Sequence, residues 1–181
     1  MNRIIHFDKK KKLITVEVWI IWRDIQDVID PDNLSVMTMQ TYSNFTVWGS
    51  LSVNVHGRYI GYGPLILSVE SIKIILADGT IKKASRDENS DIFYAAIGGY
   101  WGIGIIVEAT LHLKENIMLE RKYEDMDFHL YGAWFRENVR DNRNIIFHNA
   151  DIYPPHFSNV RATSWEKTES TSTTDNRLIP R

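Results

Sequence analysis

The sequence predicts an α+β protein, in which a mostly antiparallel sheet with flanking helices is followed by the start of an α/β domain. Three features predict it: β-rich runs joined by short polar turns, short helices between them, and a shift to charged sequence after Asn116. The composition, 44% hydrophobic and 24% charged, is ordinary for a globular protein. We expect a domain boundary near residues 114–118, giving domains at 1–113 and 114–181.

The first domain is predicted to begin with a β-hairpin. Residues 4–7 and 13–18 are β-rich, and the lysine run 9–12 between them suits a solvated turn better than a binding patch. A helix ending at Pro31 follows, because apolar residues recur at helical spacing: Trp22, Ile25, Val28 and Ile29. A small strand is expected at 36–39.

Residues 42–64 form a segment rich in small and polar residues, with four glycines and no sustained periodicity. Such a long irregular stretch in a compact domain is uncommon and often functional. A plain surface loop is the alternative. The apolar content argues against it, since a solvated loop does not need these residues: Val47, Leu51, Val53 and Val55.

A second hairpin is predicted at residues 68–85, because Asp78-Gly79 is a dipeptide that tight hairpin turns prefer. A helix over residues 91–97 follows, with Asn89 or Ser90 as its cap and Gly98-Gly99 at its end. Residues 102–116 then predict a strand whose alternate residues share one face: Ile105, Val107, Ala109, Leu111 and Leu113.

The second domain is predicted to open with a polar, charged connection and an amphipathic helix at 128–140, whose buried side carries Phe128, Tyr131, Trp134 and Phe135. Strands at 144–153 and 160–165 precede a Ser/Thr-rich tail. His148, Asp151 and Tyr153 could face a substrate, but a structural sheet edge fits them equally well. No catalytic residue is assigned.

Composition and charge exclude several classes of function. With no cysteine there are no disulfides, thiolate nucleophiles or cysteine-bound metals, and the six histidines show no metal-binding spacing. A formal net charge of -2 gives no electrostatic argument for nucleic acid or for an anionic membrane. The first residues lack the basic-then-apolar order of a signal peptide and no apolar run reaches spanning length, so we expect a cytoplasmic protein.

Residues 43–113 strongly resemble the second half of the flavin domain of the vanillyl-alcohol-oxidase group, the PCMH-type FAD fold. The order of features carries the resemblance: a glycine-containing loop, Gly63-Pro64, a hairpin with the letters ADG, the helix DIFYAAIGG, and the strand GIGII. Cytokinin dehydrogenases, sugar-lactone oxidases and alditol oxidases share this fold. The resemblance extends from residue 13 to 113 and, more weakly, through 147–165, which is similar to the opening of a substrate domain.

The resemblance implies FAD as cofactor, and it implies positions for its binding. Four residues would lie along the diphosphate, where backbone amides and hydroxyls can donate: Thr46, Gly49, Ser50 and Ser52. Asn54 and His56 would lie toward the flavin ring, and Gly104 and Ile106 would lie on the strand that meets the adenine end. Without the resemblance, His56 is most simply a surface-loop histidine.

The sequence departs from the family in three ways. No segment matches the family's N-terminal strand–helix–strand unit with its glycine-rich diphosphate loop, so we expect a chain truncated at its N-terminal end. We also expect truncation at the C-terminal end, because the sequence stops soon after the substrate domain begins. In addition Trp19, Trp48 and Trp101 stand where relatives usually have glycine. The tryptophans could fill space left by the absent unit, but the pattern favours relaxed constraint, since an indole at residue 48 would intrude on the cofactor.

The leading hypothesis is an FAD-dependent oxidase or dehydrogenase acting on a CH–OH or related group of a small molecule. As a fragment, the chain is expected to bind FAD weakly and to be inactive alone. One alternative is a non-catalytic remnant, or a split-protein partner that pairs with a complementary chain supplying the missing unit. A ligand- or protein-binding module that reuses the scaffold without redox chemistry also stays open.

Overall fold

A computed structural model describes residues 1–170 of the protein. The chain divides into two compact units, Met1–Asn116 and Ile117–Arg181. Within the described part of the chain, no helix has the length and apolar character that crossing a membrane requires. The predicted Ser/Thr-rich tail falls mostly outside the described residues.

The first unit is built on a six-stranded antiparallel sheet. In the order β1-β2-β6-β4-β5, neighbouring strands are hydrogen-bonded, and β3 pairs with the C-terminal part of β6. The strands are β1 (Ile4–Asp8), β2 (Leu13–Glu17), β3 (Leu34–Val36), β4 (Val69–Leu76), β5 (Ile81–Ser85) and β6 (Gly104–Glu115). Both predicted hairpins are present, and the predicted α+β class with a mostly antiparallel sheet is confirmed.

Three short helices contribute to the core of this unit: α1 (Trp22–Ile29), α2 (Val47–Ser52) and α3 (Ser90–Ala96). Their apolar residues join one cluster with the inward side chains of the strands, and Trp22 and Phe93 are its largest fully buried members. The predicted first helix is confirmed, although Val28 is 43% exposed rather than buried. The predicted strand at 36–39 is shifted, since β3 ends at Val36.

The face that β6 presents to the core changes partway along the strand. Ile105 is 52% exposed while Ile106 is 4% exposed, so the prediction that Ile105 shares a face with Ala109 is wrong. The register explains this, because Lys73 pairs with Glu108 whereas the next residue of β4 pairs with Ile106. The extra residue is a β-bulge, and a bulge reverses the alternation of side chains.

Over residues 117–170, the second unit has a three-stranded antiparallel sheet in the order β7-β9-β8 and one helix. Its elements are β7 (Leu119–Asp127), α4 (Phe128–Asn138), β8 (Ile145–Ile152) and β9 (Asn159–Lys167). The segment predicted as a polar, charged connection before α4 contains a strand that was not predicted, β7, which pairs with β9 over its whole length. Phe128 is 45% exposed, so it is not on a buried helix face as predicted.

Candidate functional site

The predicted diphosphate segment begins with a capped helix rather than an open loop. Thr46 has an extended backbone, and its hydroxyl accepts a 3.1 Å hydrogen bond from the Gly49 amide, which is the usual geometry of a threonine N-cap. The helix α2 is short because Asn54, two residues beyond its end, has a left-handed backbone with φ of 46°. The Thr46 hydroxyl, predicted to lie along the diphosphate, therefore caps α2.

The backbone amides at the start of α2 are all bonded within the protein. The Val47 amide donates to the carbonyl of Ile20 at 3.0 Å, and the Trp48 amide donates to the carbonyl of Val18 at 2.7 Å. The Gly49 amide is taken by the Thr46 hydroxyl, and the Ser50 amide donates to the Thr46 carbonyl at 3.1 Å. The first turn therefore presents no unused row of amide hydrogens.

The serine hydroxyl expected beside the diphosphate faces the core instead. Ser50 is fully buried, and its Oγ accepts a 2.9 Å bond from Nε1 of Trp22. The same Oγ lies 2.8 Å from Oε1 of Gln40 and 2.8 Å from the carbonyl of Thr46. Ser52 is also buried, at 4% exposure, and its carbonyl accepts from the Tyr100 amide.

The two residues predicted to lie toward the flavin ring are in different surroundings. Asn54 accepts a 2.9 Å bond from the amide of Ile66 through its Oδ1, which ties the end of α2 to the segment before β4. His56 is exposed on the irregular segment that follows. The structure thus gives Asn54 a structural partner and leaves His56 at the surface.

Gly104 and Ile106 occupy the start of β6, close to α2. A Cβ on Gly104 would lie 2.4 Å from the carbonyl oxygen of Ile75, so sheet packing alone requires glycine there. The Ile106 side chain is buried opposite Ile74. The strand and the helix are joined through Val18, whose amide donates to the Val107 carbonyl and whose carbonyl accepts from the Trp48 amide.

Beside α2 the structure brings together Trp19, Trp48 and Trp101, here called the tryptophan cluster. The rings of Trp19 and Trp48 are stacked with centroids 4.4 Å apart and planes 19° apart. The ring of Trp101 lies against Trp48 with centroids 3.4 Å apart and planes 42° apart. Three residues far apart in the sequence therefore form one continuous aromatic group.

The tryptophan cluster carries two unusual features. The Nε1 atoms of Trp48 and Trp101 are buried without a hydrogen-bond partner, which is uncommon because a buried donor normally finds an acceptor. Tyr100 and Trp101 also have positive φ, 49° and 67°, in the region that disfavours large side chains. The turn before β6 is therefore strained at two consecutive residues.

Two structurally important cations were not singled out from the sequence. The Arg86 guanidinium donates to the carbonyls of Val69 and Ile66, each at 2.7 Å. The Lys114 ammonium lies 3.9 Å from the ring centroid of Tyr62, in a cation–π contact. Burial of the nearby Tyr59 raises the pKa of its phenol to about 12. No sequence signal marks these contacts, because their partners lie many residues away.

In the second unit, His148 forms the centre of a buried polar chain. Its Nε2 lies 3.0 Å from the Tyr131 hydroxyl, and its Nδ1 lies 2.9 Å from the Ser164 hydroxyl. Burial lowers the pKa of His148, and burial raises the pKa of Tyr131. His148 is only 8% exposed, whereas Asp151 and Tyr153 are exposed, so these three residues do not form one group.

Comparison with known proteins gives the family. An FAD binding domain family matches residues 1–85. L-gulonolactone oxidase of Mus musculus is 30% identical over 162 residues, covering 81% of this chain and 36% of that relative. L-galactono-1,4-lactone dehydrogenase 2, mitochondrial, of Oryza sativa subsp. japonica is 31% identical over 120 residues, covering 66% and 20%. Cytokinin dehydrogenase 3 of Arabidopsis thaliana is 31% identical over 102 residues, covering 56% and 20%.

The antiparallel sheet and these matches define a domain of the FAD-linked oxidoreductase class. Within that class, the chain belongs to the family with a PCMH-type FAD-binding domain, which confirms the resemblance seen in the sequence. The chain spans between 20% and 36% of the length of the three relatives described.

FAD is the predicted cofactor, and the family match confirms it at the level of the family. The residues present at the predicted diphosphate position do not fit that group as they stand. A diphosphate is held by unused N–H donors, whereas the first-turn amides of α2 and the hydroxyls of Thr46 and Ser50 all have partners inside the protein.

Proposed function

We propose that this chain is part of an FAD-dependent oxidase or dehydrogenase that acts on a CH–OH or related group of a small substrate. The family match and the names of the relatives support this proposal, and those names suggest a sugar lactone as the substrate class. The protein's part in such chemistry is to bind and orient the substrate and cofactor, since the flavin supplies the redox chemistry when bound. A cytoplasmic location is part of the proposal.

We further propose that the chain alone binds FAD weakly or not at all and has no turnover. One observation supports this: the predicted donors for the diphosphate are already engaged within the protein. Binding FAD at this position would break several of these bonds and displace Trp48 from between its two neighbours. Such internal competition lowers the affinity by the free energy of the hydrogen bonds and ring packing that FAD must disrupt.

Flavin absorbance tests this proposal. The purified protein is incubated with excess FAD, passed over a desalting column, and scanned for bound oxidised flavin. We expect no flavin above the level carried by an unrelated control protein, and no oxidation of an aldonolactone. A stoichiometric flavin spectrum in the protein fraction would contradict the weak-binding proposal, and FMN and ADP in parallel would show which half of FAD is recognised.

A split-protein partner is the second candidate, and the exposed apolar surface beside α2 favours it. Trp19 is 43% exposed, Val53 at the end of α2 is 47% exposed, and Tyr100, whose amide binds the Ser52 carbonyl, is 73% exposed. The backbone edges of β1 and β5 are also unpaired within the described sheet, and such edges accept a strand from another chain.

Co-expression tests this second candidate. The partner is a polypeptide with the strand–helix–strand unit that precedes this segment in PCMH-type domains. If the chain is one half of a split protein, the two polypeptides co-purify and the complex retains flavin. A chain that stays monomeric and colourless in the presence of that polypeptide would rule out the split-protein function.

A further inference from the structure

We infer that the tryptophan cluster is a partly exposed aromatic plug, which covers α2 and keeps the first unit folded without a cofactor. This inference rests on the proposed weak binding of FAD, and it identifies what closes the diphosphate position. Under this inference the three tryptophans are structural residues, whereas the sequence alone favoured relaxed constraint as the reason for their presence.

The position of the cluster is fixed by hydrogen bonds from three elements. Trp48 lies in the first turn of α2, and its amide binds the carbonyl of Val18, the residue before Trp19. On the other side, the amide of Tyr100 binds the carbonyl of Ser52, which brings the turn containing Trp101 against the end of α2. The indoles therefore cover α2 from the end of β2 and from the turn before β6.

The three indole rings are in direct contact with one another. Trp48 touches both of its neighbours, with centroid separations of 4.4 Å and 3.4 Å. Aromatic pairs stabilise a protein beyond the effect of burying their area.

The local costs that the cluster imposes support the same conclusion. Trp101 has a positive φ that favours glycine, and the buried Nε1 atoms of Trp48 and Trp101 lack acceptors. Strain and orphan donors persist only where the surrounding structure over-determines them. The stacking of the indoles is the interaction that can offset these costs here, and it requires that no cofactor occupy the same space.

Thermal unfolding of indole variants tests the structural part of the inference. We expect Trp48→Gly to lower the midpoint by at least about 10 °C, since it removes a large packed side chain. Trp48→Phe keeps a ring between the neighbours and removes the orphan N–H, so its midpoint should stay near that of the parent. Tyr94→Ala is the control, because Tyr94 is 57% exposed in the same unit. A Trp48→Gly midpoint equal to that of the control would overturn the inference.

Circular dichroism gives a second readout that does not depend on whether Trp48→Gly folds. Stacked indoles produce an exciton-coupled band, and we expect Trp48→Phe to abolish it while the amide spectrum is preserved. Persistence of the full band in Trp48→Phe would mean that Trp48 is not stacked between its neighbours, and the plug would then be refuted.

FAD titration separates this inference from the proposed function. With the parent protein, quenching of FAD fluorescence should be absent. Stoichiometric binding by the parent would overturn the proposed weak binding and the plug together. If the parent does not bind and the Trp48→Gly midpoint is unchanged, the plug alone is wrong. A folded Trp48→Gly/Trp101→Gly variant should gain at least about tenfold in FAD affinity, because the indoles no longer compete for the position. No gain would overturn the plug and would leave the engaged donors as what excludes FAD.

Discussion

The indole of Trp22 and the hydroxyl of Ser50 form a 2.9 Å hydrogen bond inside the first unit, which ties α1 to α2. Ser50→Ala removes the acceptor from a buried N–H that retains only Gln40, at 3.1 Å. We expect a loss of about 1–3 kcal/mol in the free energy of unfolding, measured by urea denaturation. Thr41→Ala, at an exposed position, is the control. If Ser50 served only a ligand, the two variants would be equally stable.

Two glycines predicted at the cofactor site should respond oppositely to alanine. Gly104→Ala would place a Cβ 2.4 Å from the Ile75 carbonyl, and we expect it to destabilise the sheet by roughly 1–3 kcal/mol. Gly49→Ala places its Cβ 3.4 Å from the Thr46 hydroxyl inside a helix, an ordinary contact, so stability should hold or rise by about 0.5–1 kcal/mol. Equal denaturation midpoints for the two variants would show that packing does not require glycine at either position.

Arg86 is expected to stabilise the junction between the irregular segment and β4. Arg86→Lys replaces the two guanidinium nitrogens that each donate to one carbonyl by a single ammonium nitrogen, so we expect a loss of about 1.5–3 kcal/mol. Lys82→Arg, on the exposed side of β5, is the matched charge-preserving control. The measurement is urea denaturation, together with hydrogen exchange at the amides of β4. Unchanged exchange in Arg86→Lys would contradict the role given to this residue.

The second unit should lose stability in mild acid through His148. Burial holds the pKa of His148 below the 6.5 of an unperturbed imidazole, so the unfolded chain binds the proton more readily. The free energy of unfolding therefore falls as the pH drops below about 6.5, and it stops falling once the folded state is also protonated. NMR titration of the ring gives the folded pKa, and thermal unfolding across the same range gives the stability.

His148→Gln is the control for this pH dependence. It keeps polar atoms near Tyr131 and Ser164 but removes the titrating group. The slope of stability against pH near pH 6 should be smaller in this variant than in the parent. An identical slope would assign the acid sensitivity to other groups.

The sequence was sufficient to predict the first unit where local signals are strong. Asp78-Gly79 marks the β4–β5 turn, and the apolar spacing from Trp22 to Ile29 marks α1, because both depend on neighbouring residues alone. For the candidate cofactor site, the sequence identified the segment but not the direction in which its side chains face. Whether the Ser50 hydroxyl faces a ligand or Trp22 depends on a contact across 28 residues, which no local pattern records.

The parts that were missed depend on pairing between distant residues. β7 is mostly charged and exposed, so it has no apolar alternation, and it is a strand because β9 supplies hydrogen bonds and ion pairs such as Arg161 with Asp125. The reversal at Ile105 follows from a bulge against β4. The tryptophan cluster likewise exists only once three separate segments have packed together.

The strand order β7-β9-β8 places β9, which follows the other two strands in the sequence, in the middle of the described sheet. During synthesis β7, α4 and β8 all leave the ribosome before the strand that joins them, and β7 and β8 have no ladder with each other. A nascent chain that stops short of Asn159 would therefore expose two strands with unmatched backbone groups, and such edges promote aggregation. Proteolysis or premature termination just upstream of β9 should consequently yield insoluble material rather than a smaller folded product.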